Sequence, residues 1–111
     1  MRNLIKWQLI NERGLYSELS GKPIKDNDLV DMHEVFVPRA VVSGWDEIRK
    51  QSIFHPYNMV LLKRSEHELA TSKVNKAILA KKLIARYGKD NIQNWLDGLG
   101  LKYRMDLSQW D

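Results

Sequence analysis

The sequence predicts an α+β fold on three observations. The run Leu29 to Val37 is rich in β-branched residues and is closed by Pro38, which reads as a strand. Met59-Val60-Leu61-Leu62 is a second, shorter apolar run that reads as a buried strand. Apolar residues at three- and four-residue steps before and after these runs read as helices. The order is helix, strand, loop, strand, helix, helix. At 111 residues the chain is expected to form one small domain spanning 1–111, and a two-domain enzyme is excluded.

Each element has its own signal. In the N-terminal segment 1–19, Leu4, Ile5, Trp7, Leu9, Ile10, Leu15 and Leu19 fit a helix broken near Gly14. Ser20-Gly21-Lys22-Pro23 is a turn, and Asp26-Asn27-Asp28 is a polar break before the first strand. Ser43-Gly44 opens a loop, and Trp45 to Ser52 reads as a short helix that ends before His55-Pro56. Ser65-Glu66-His67-Glu68 has the form of a capping box, which starts a helix at about residue 66. Ala70, Val74, Ala77, Ala80, Ile84 and Tyr87 carry that helix, or a kinked pair, to Gly88. Asp90 is expected to cap a last helix through Ile92, Trp95 and Leu96 to Gly98. A tail with Leu101, Tyr103, Met105 and Trp110 completes the C-terminal segment 90–111.

Composition narrows the function. Hydrophobic residues make up 43% and charged residues 29%, the balance of a soluble globular protein. There is no run of 18 apolar residues and no signal-peptide core, so the expected location is cytoplasmic, with no membrane partner. The absence of cysteine excludes disulfides, thiolate zinc sites, iron–sulfur clusters and cysteine nucleophiles. The net charge is +4, but residues 63–86 carry +5 through Lys63, Arg64, Lys73, Lys76, Lys81, Lys82 and Arg86, and the remainder sums to −1. On a helix this excess forms either a surface for a polyanion or an ordinary solvated lysine face; charge alone does not decide.

The candidate chemistry is concentrated in the middle of the chain. His33-Glu34 stands toward the end of the first strand, Asn58 opens the second, and His67 falls on the first turn of the expected long helix. Two strands and a helix can bring these side chains together. Neutral imidazoles with carboxylate or amide oxygens suit a divalent metal. The plainer alternative is two surface or core histidines and an asparagine that caps a turn.

The motifs resemble those of a known family. Asp31-Met32-His33-Glu34-Val35, followed by Asn58-Met59-Val60-Leu61-Leu62-Lys63-Arg64-Ser65-Glu66-His67, resembles the core of the HNH endonucleases. Pro38-Arg39 is similar to the Pro-Arg or Pro-Lys that often follows the family's His-His pair, here displaced by one residue. Ser17-Glu18-Leu19-Ser20-Gly21-Lys22-Pro23-Ile24 resembles the first knuckle of the family's structural zinc ribbon, with both cysteines replaced by serine. The second knuckle falls at Lys63 and Glu66, so all four structural zinc ligands are replaced together, and ordinary packing is expected to take the place of the metal. The resemblance covers about residues 13 to 70 and extends to HNH proteins of phage and prophage origin, for which cytoplasmic means the bacterial host cell.

The resemblance implies a small ββα-metal (His-Me finger) core over about 29–87 with flanking helices, and a hydrolase that cuts or nicks duplex DNA. His33 and His67 fall on metal ligands and Glu34 on the general base. Asn58 falls on the family asparagine, which either binds the metal or fixes the loop that holds the base. One divalent metal ion is the implied cofactor, with Mg²⁺ or Mn²⁺ favoured and Zn²⁺ or Ni²⁺ open. Arg39, Lys63 and Arg64 would neutralise neighbouring phosphates, and Lys73, Lys76, Lys82 and Arg86 either bind the DNA backbone or solubilise the helix.

Two positions depart from the family pattern. Glu34 stands where histidine is usual and serves as base or as ligand, with His55 a substitute base or a capping residue. Thr71 stands where many relatives carry a third histidine ligand, leaving Asn58, Asp31, Glu34 or water to complete the sphere. Trp7, Trp45, Trp95 and Trp110 are expected as core or lid material, with base stacking by Trp45 an alternative. Three readings follow: a metal-dependent DNA endonuclease, a nucleic-acid-binding protein of the same fold without catalysis, and an interaction module with structural histidines. A larger protein partner supplying specificity, the oligomeric state and the target sequence stay open.

Overall fold

The apolar periodicity of the N-terminal segment produces helix α1, Arg2–Arg13, which ends at Gly14. Gly14 has φ +82°, a left-handed conformation that glycine adopts without steric cost. The structure, a computed structural model, describes residues 2–25 and 29–111. The Asp26-Asn27-Asp28 break therefore lies outside the described residues.

The two apolar runs form strands β1, Val30–Glu34, and β2, Met59–Lys63. They pair antiparallel, with Val30 opposite Lys63, His33 opposite Val60 and Glu34 opposite Met59. Side chains alternate across a strand, so the ladder has two differently used faces. Met32, Met59 and Leu61 pack with Leu9 of α1 in a small cluster. Val60 and Leu62 enter the larger core, which includes Phe36, Ile53, Leu83 and Leu96. The result is an α+β protein with a two-stranded sheet and several helices, as the periodicities predict. Among the described residues no helix is long and apolar enough to cross a membrane.

Several boundaries differ from expectation. The first strand stops at Glu34 and not Val37, because the Asn58 side chain accepts the N–H groups of Phe36 and Val37 in place of a ladder partner. The connection between the strands holds a 3-10 turn, Arg39–Val42, and a short helix α2, Glu47–Lys50, capped by the Asp46 carboxylate. The long helix α3 is Lys73–Tyr87, so it begins well after residue 66. Glu66, not Glu68, reaches back one turn to the N–H of Lys63 at 3.2 Å, and the chain makes 3-10 turns at Arg64–Glu66 and Leu69–Thr71. Ser72 then breaks into extended backbone and caps α3 by accepting from Asn75. Helix α4, Lys89–Gly98, follows at Gly88, with Asp90 in its first turn and not at its cap. A final 3-10 turn, Leu107–Trp110, brings Trp110 against Phe36, ring centroids 5.4 Å apart.

One organising contact has no counterpart in the sequence reading. Arg13, at the end of α1, is buried and pairs with Glu18 at 2.8 Å. It also donates to the carbonyls of Met59 and Pro56 and to the Tyr87 hydroxyl. Glu18 in turn accepts from the N–H of Leu61 at 2.7 Å. A buried charge is tolerable only when paired and hydrogen-bonded in this way. The pair ties α1, β2 and α3 to one another.

Candidate metal centre

Asp31 and His33 are two residues apart on β1 and therefore share a face, the one that carries Val60 and Leu62. After β2 the 3-10 turn Arg64–Glu66 carries the chain back over that face and delivers His67. His33 Nδ1 lies 3.2 Å from His67 Nε2, and His67 Nδ1 lies 3.0 Å from Asp31 Oδ2. The two imidazoles meet edge to face, with an interplanar angle of 83°. Arg64 Nε closes the row on Asp31 Oδ1 at 3.1 Å.

Burial lowers the proton affinity of His33. The nearby charges of His67 and Lys76 add to this, and the charge of Glu34 opposes it. The ring is thus biased toward the neutral form that a metal or a proton donor requires. Burial alone would raise the Asp31 carboxyl, but the hydrogen bond from His67 and the Arg64 guanidinium outweigh it and hold it below the ordinary carboxylate range.

The separation of the two imidazole nitrogens is that of a hydrogen bond, and it can be compared with the spacing of two ligands on one ion. Two nitrogens bound to one ion at about 2.1 Å lie about 3.0 Å apart at a right angle and about 3.4 Å apart at a tetrahedral angle. The observed 3.2 Å falls between these values. Among the described residues no cluster of three His, Cys, Asp or Glu side chains with metal-ligating geometry occurs. His33 and His67 are the two side chains here whose nitrogens could share an ion.

The other expected site residues are placed differently. Asn58 is fully buried and its amide is committed to the loop. Its Oδ1 accepts from Phe36 and Val37 at 2.8 and 2.9 Å, and its Nδ2 donates to the carbonyls of Val37 and Ile53 at 3.1 and 3.0 Å. Of the two roles expected for it, this is the loop-fixing one, and the side chain has no donor or acceptor turned to the imidazoles. Glu34, adjacent to His33 on the strand, points to the opposite face and pairs with Arg39 at 2.8 Å. His55 accepts from the N–H of Tyr57 through Nδ1 and stacks on Trp95, which is the capping role; burial lowers its proton affinity. Thr71 donates to the Glu68 carbonyl.

The basic residues divide into two groups. Arg39 and Arg64 pair with Glu34 and Asp31, yet both remain more than half exposed. Lys73 is exposed in the first turn of α3, and the charge of Lys76 reaches His33. Lys63 is partly buried, and its charge acts on Glu66. Lys82 and Arg86, expected on the DNA backbone or in solvent, are exposed and also reach the carbonyl and carboxylate of Glu18. Trp45, Trp95 and Trp110 pack against the core as expected. Trp7 does not: it is 64% exposed and borders a hollow of about 540 Å³ with Ile10, Leu29 and Arg64. Trp45 carries the Arg49 guanidinium on its face, 3.7 Å from the ring centre.

The four positions compared with zinc-ligating cysteines do converge. The Glu66 carboxylate accepts from the Lys63 N–H at 3.2 Å, and the Ser17 and Ser20 side chains lie near enough to favour its charged form. Burial alone would raise the Glu66 carboxyl; these groups and the Lys63 charge bring it below the ordinary range. Ser17, itself buried, accepts from the N–H groups of Leu19 and Ser20 and so shapes the first turn. A polar cluster thus joins the two turns where ordinary packing was expected to take the place of the metal.

Asp31, named from the sequence as one of the groups that could complete a metal sphere, is engaged by His67 and Arg64. Arg13 was not detectable from the sequence, because its partners are remote in sequence or read as turn residues. No family model, curated protein or solved structure matches the chain.

Proposed function

We propose that this chain is a metal-dependent DNA endonuclease of the HNH type, with β1, β2 and the segment 64–87 forming a ββα-metal core. The observation that carries the reading is the 3.2 Å approach of His33 Nδ1 to His67 Nε2, brought about by two segments 34 residues apart. The convergence of Ser17, Ser20, Lys63 and Glu66 supports it, since these are the positions that the resemblance places at the zinc ribbon.

His33 and His67 would hold one divalent ion. When bound, such an ion stabilises charge on the scissile phosphate and on the leaving 3′ oxygen. The resemblance assigns the proton of the attacking water to Glu34, which would have to act from the opposite face of β1, where it pairs with Arg39. Lys73 and Lys76 of α3 receive the flanking phosphates, and Arg64 and Lys63 lie at the other end of the same basic segment. Asn58 holds the 35–37 backbone that follows Glu34. A cytoplasmic site of action belongs to this reading.

A second reading is favoured by one observation. Glu34 lies on the face of β1 opposite His33 and is ion-paired, which suits a nucleic-acid-binding protein that has lost its base. Incubation of supercoiled plasmid with the protein and Mg²⁺, Mn²⁺, Zn²⁺, Ni²⁺ or EDTA separates the two. Metal-dependent nicking that is lost in His67→Ala and Glu34→Ala supports the endonuclease. Salt-sensitive gel retardation with no cleavage in any metal supports the binding protein.

A further inference from the structure

We propose that Asp31 is a positioning residue: held by Arg64, it fixes His67 as the Nδ1–H tautomer and so turns the lone pair of His67 Nε2 toward His33. The inference rests on the reading of the imidazole pair as a metal centre, but its first test needs no metal. An ionised carboxylate has only acceptors, so the 3.0 Å contact between Asp31 Oδ2 and His67 Nδ1 requires the hydrogen on Nδ1. A neutral imidazole carries one N–H, which leaves His67 Nε2 as an acceptor. His33 Nδ1, 3.2 Å away, must then donate to it.

For both rings to hold an ion, His33 would have to move its hydrogen from Nδ1 to Nε2 by exchange with solvent, staying neutral with no net proton released. His67 keeps its tautomer. The site is therefore asymmetric, with one imidazole fixed in advance by a carboxylate and one that switches.

The same geometry speaks against Asp31 as a ligand. Its two oxygens are engaged separately, Oδ1 by Arg64 at 3.1 Å and Oδ2 by His67 at 3.0 Å. Arg64, expected as a phosphate contact, thus also acts as the anchor of the row. A carboxylate that orients a metal-binding histidine in this way typically contributes about 10–100-fold in metal affinity.

The test is a long-range ¹H–¹⁵N spectrum of the histidine rings of the full chain, recorded without metal at about pH 8, above the ordinary imidazole range. The expected spectrum shows His67 as Nδ1–H and His33 as Nδ1–H. Zinc addition should switch His33 to Nε2–H and leave His67 unchanged. Asp31→Ala should release His67 to a tautomer mixture and weaken zinc binding about 10–100-fold. Asp31→Asn, whose amide oxygen still accepts, should preserve the Nδ1–H form. A wild-type spectrum with His67 as Nε2–H overturns the proposal without any variant, as does an unchanged His67 tautomer in a folded Asp31→Ala. His67 as Nδ1–H in the wild type and released in Asp31→Ala, with no response of either ring to zinc, upholds the role of Asp31 and overturns the metal reading instead.

Discussion

Replacing Asn58 with alanine should cost more stability than removing either imidazole. The side chain is 0% exposed and satisfies four backbone groups, the N–H of Phe36 and Val37 and the carbonyls of Val37 and Ile53. Each buried group left without a partner costs about 1–3 kcal/mol. Neighbouring losses do not add fully, because the loop relaxes, so a total of about 3–5 kcal/mol is expected. Native stabilities are commonly about 5–15 kcal/mol, so this is a large share of the whole. With a urea dependence of about 2 kcal/mol per molar, the unfolding midpoint should fall by roughly 2 M. Asn58→Asp should be no better at neutral pH, since a carboxylate oxygen would face the carbonyls of Val37 and Ile53 where an N–H₂ now donates. A metal-ligand role predicts the reverse: tighter metal binding by Asn58→Asp and a midpoint near the wild-type value. An Asn58→Ala midpoint within about 0.3 M of wild type, less than 1 kcal/mol at that slope, would refute the reasoning.

Arg13→Met removes the nearest cation from Glu18, which keeps the Leu61 N–H and a looser Arg86 contact at 3.9 Å, and the expected loss is about 3 kcal/mol in urea unfolding; a loss under about 1 kcal/mol contradicts a buried ion pair that ties α1 to β2. Acidification should weaken the fold in two stages. His55 has a folded proton affinity below its ordinary value of 6.5, so its contribution is complete above that value and is lost as pH falls through the folded one. Glu66, depressed below 4.5, contributes above that value and loses its share as pH falls further. His33 shares the first stage and Asp31 the second, so Glu66→Gln should reduce the second stage without abolishing it; urea midpoints that stay flat across both ranges contradict the burial of His55 and the Glu66 cluster. Lys73→Ala combined with Lys76→Ala should flatten the log–log salt dependence of DNA binding by about 1.8, two phosphate contacts at about 0.9 each; an unchanged slope removes both lysines from the interface.

The strands were legible as the apolar runs around Leu29–Val37 and Met59–Leu62, although Val30 and Val60 are the β-branched residues in the paired ladder and Val35 and Val37 lie beyond it. The end of β1 was not legible, because a side chain 22 positions away replaces the ladder bonds of Phe36. The start of α3 was misplaced for a related reason. Glu66 and Glu68 both fit a capping role by spacing, and only the tertiary partners Ser17 and Ser20 show that Glu66 is the one engaged. Residue type and spacing brought His33 and His67 forward together, and the antiparallel register with the following 3-10 turn accounts for their meeting. The direction in which Glu34 points follows from strand alternation, once the face of His33 is known. Trp7 was misjudged because its spacing fits the buried stripe of α1, whereas only Leu9 of that helix is fully buried.

The central claim is that His33 and His67 form a metal centre, and calorimetric titration of the purified chain with Mn²⁺, Zn²⁺ or Ni²⁺ tests it most directly. The account predicts one ion per chain for wild type and loss of that binding in both His33→Ala and His67→Ala, with each variant still folded in urea. Binding that persists in the double variant, or no binding by the wild type at neutral pH, would contradict it.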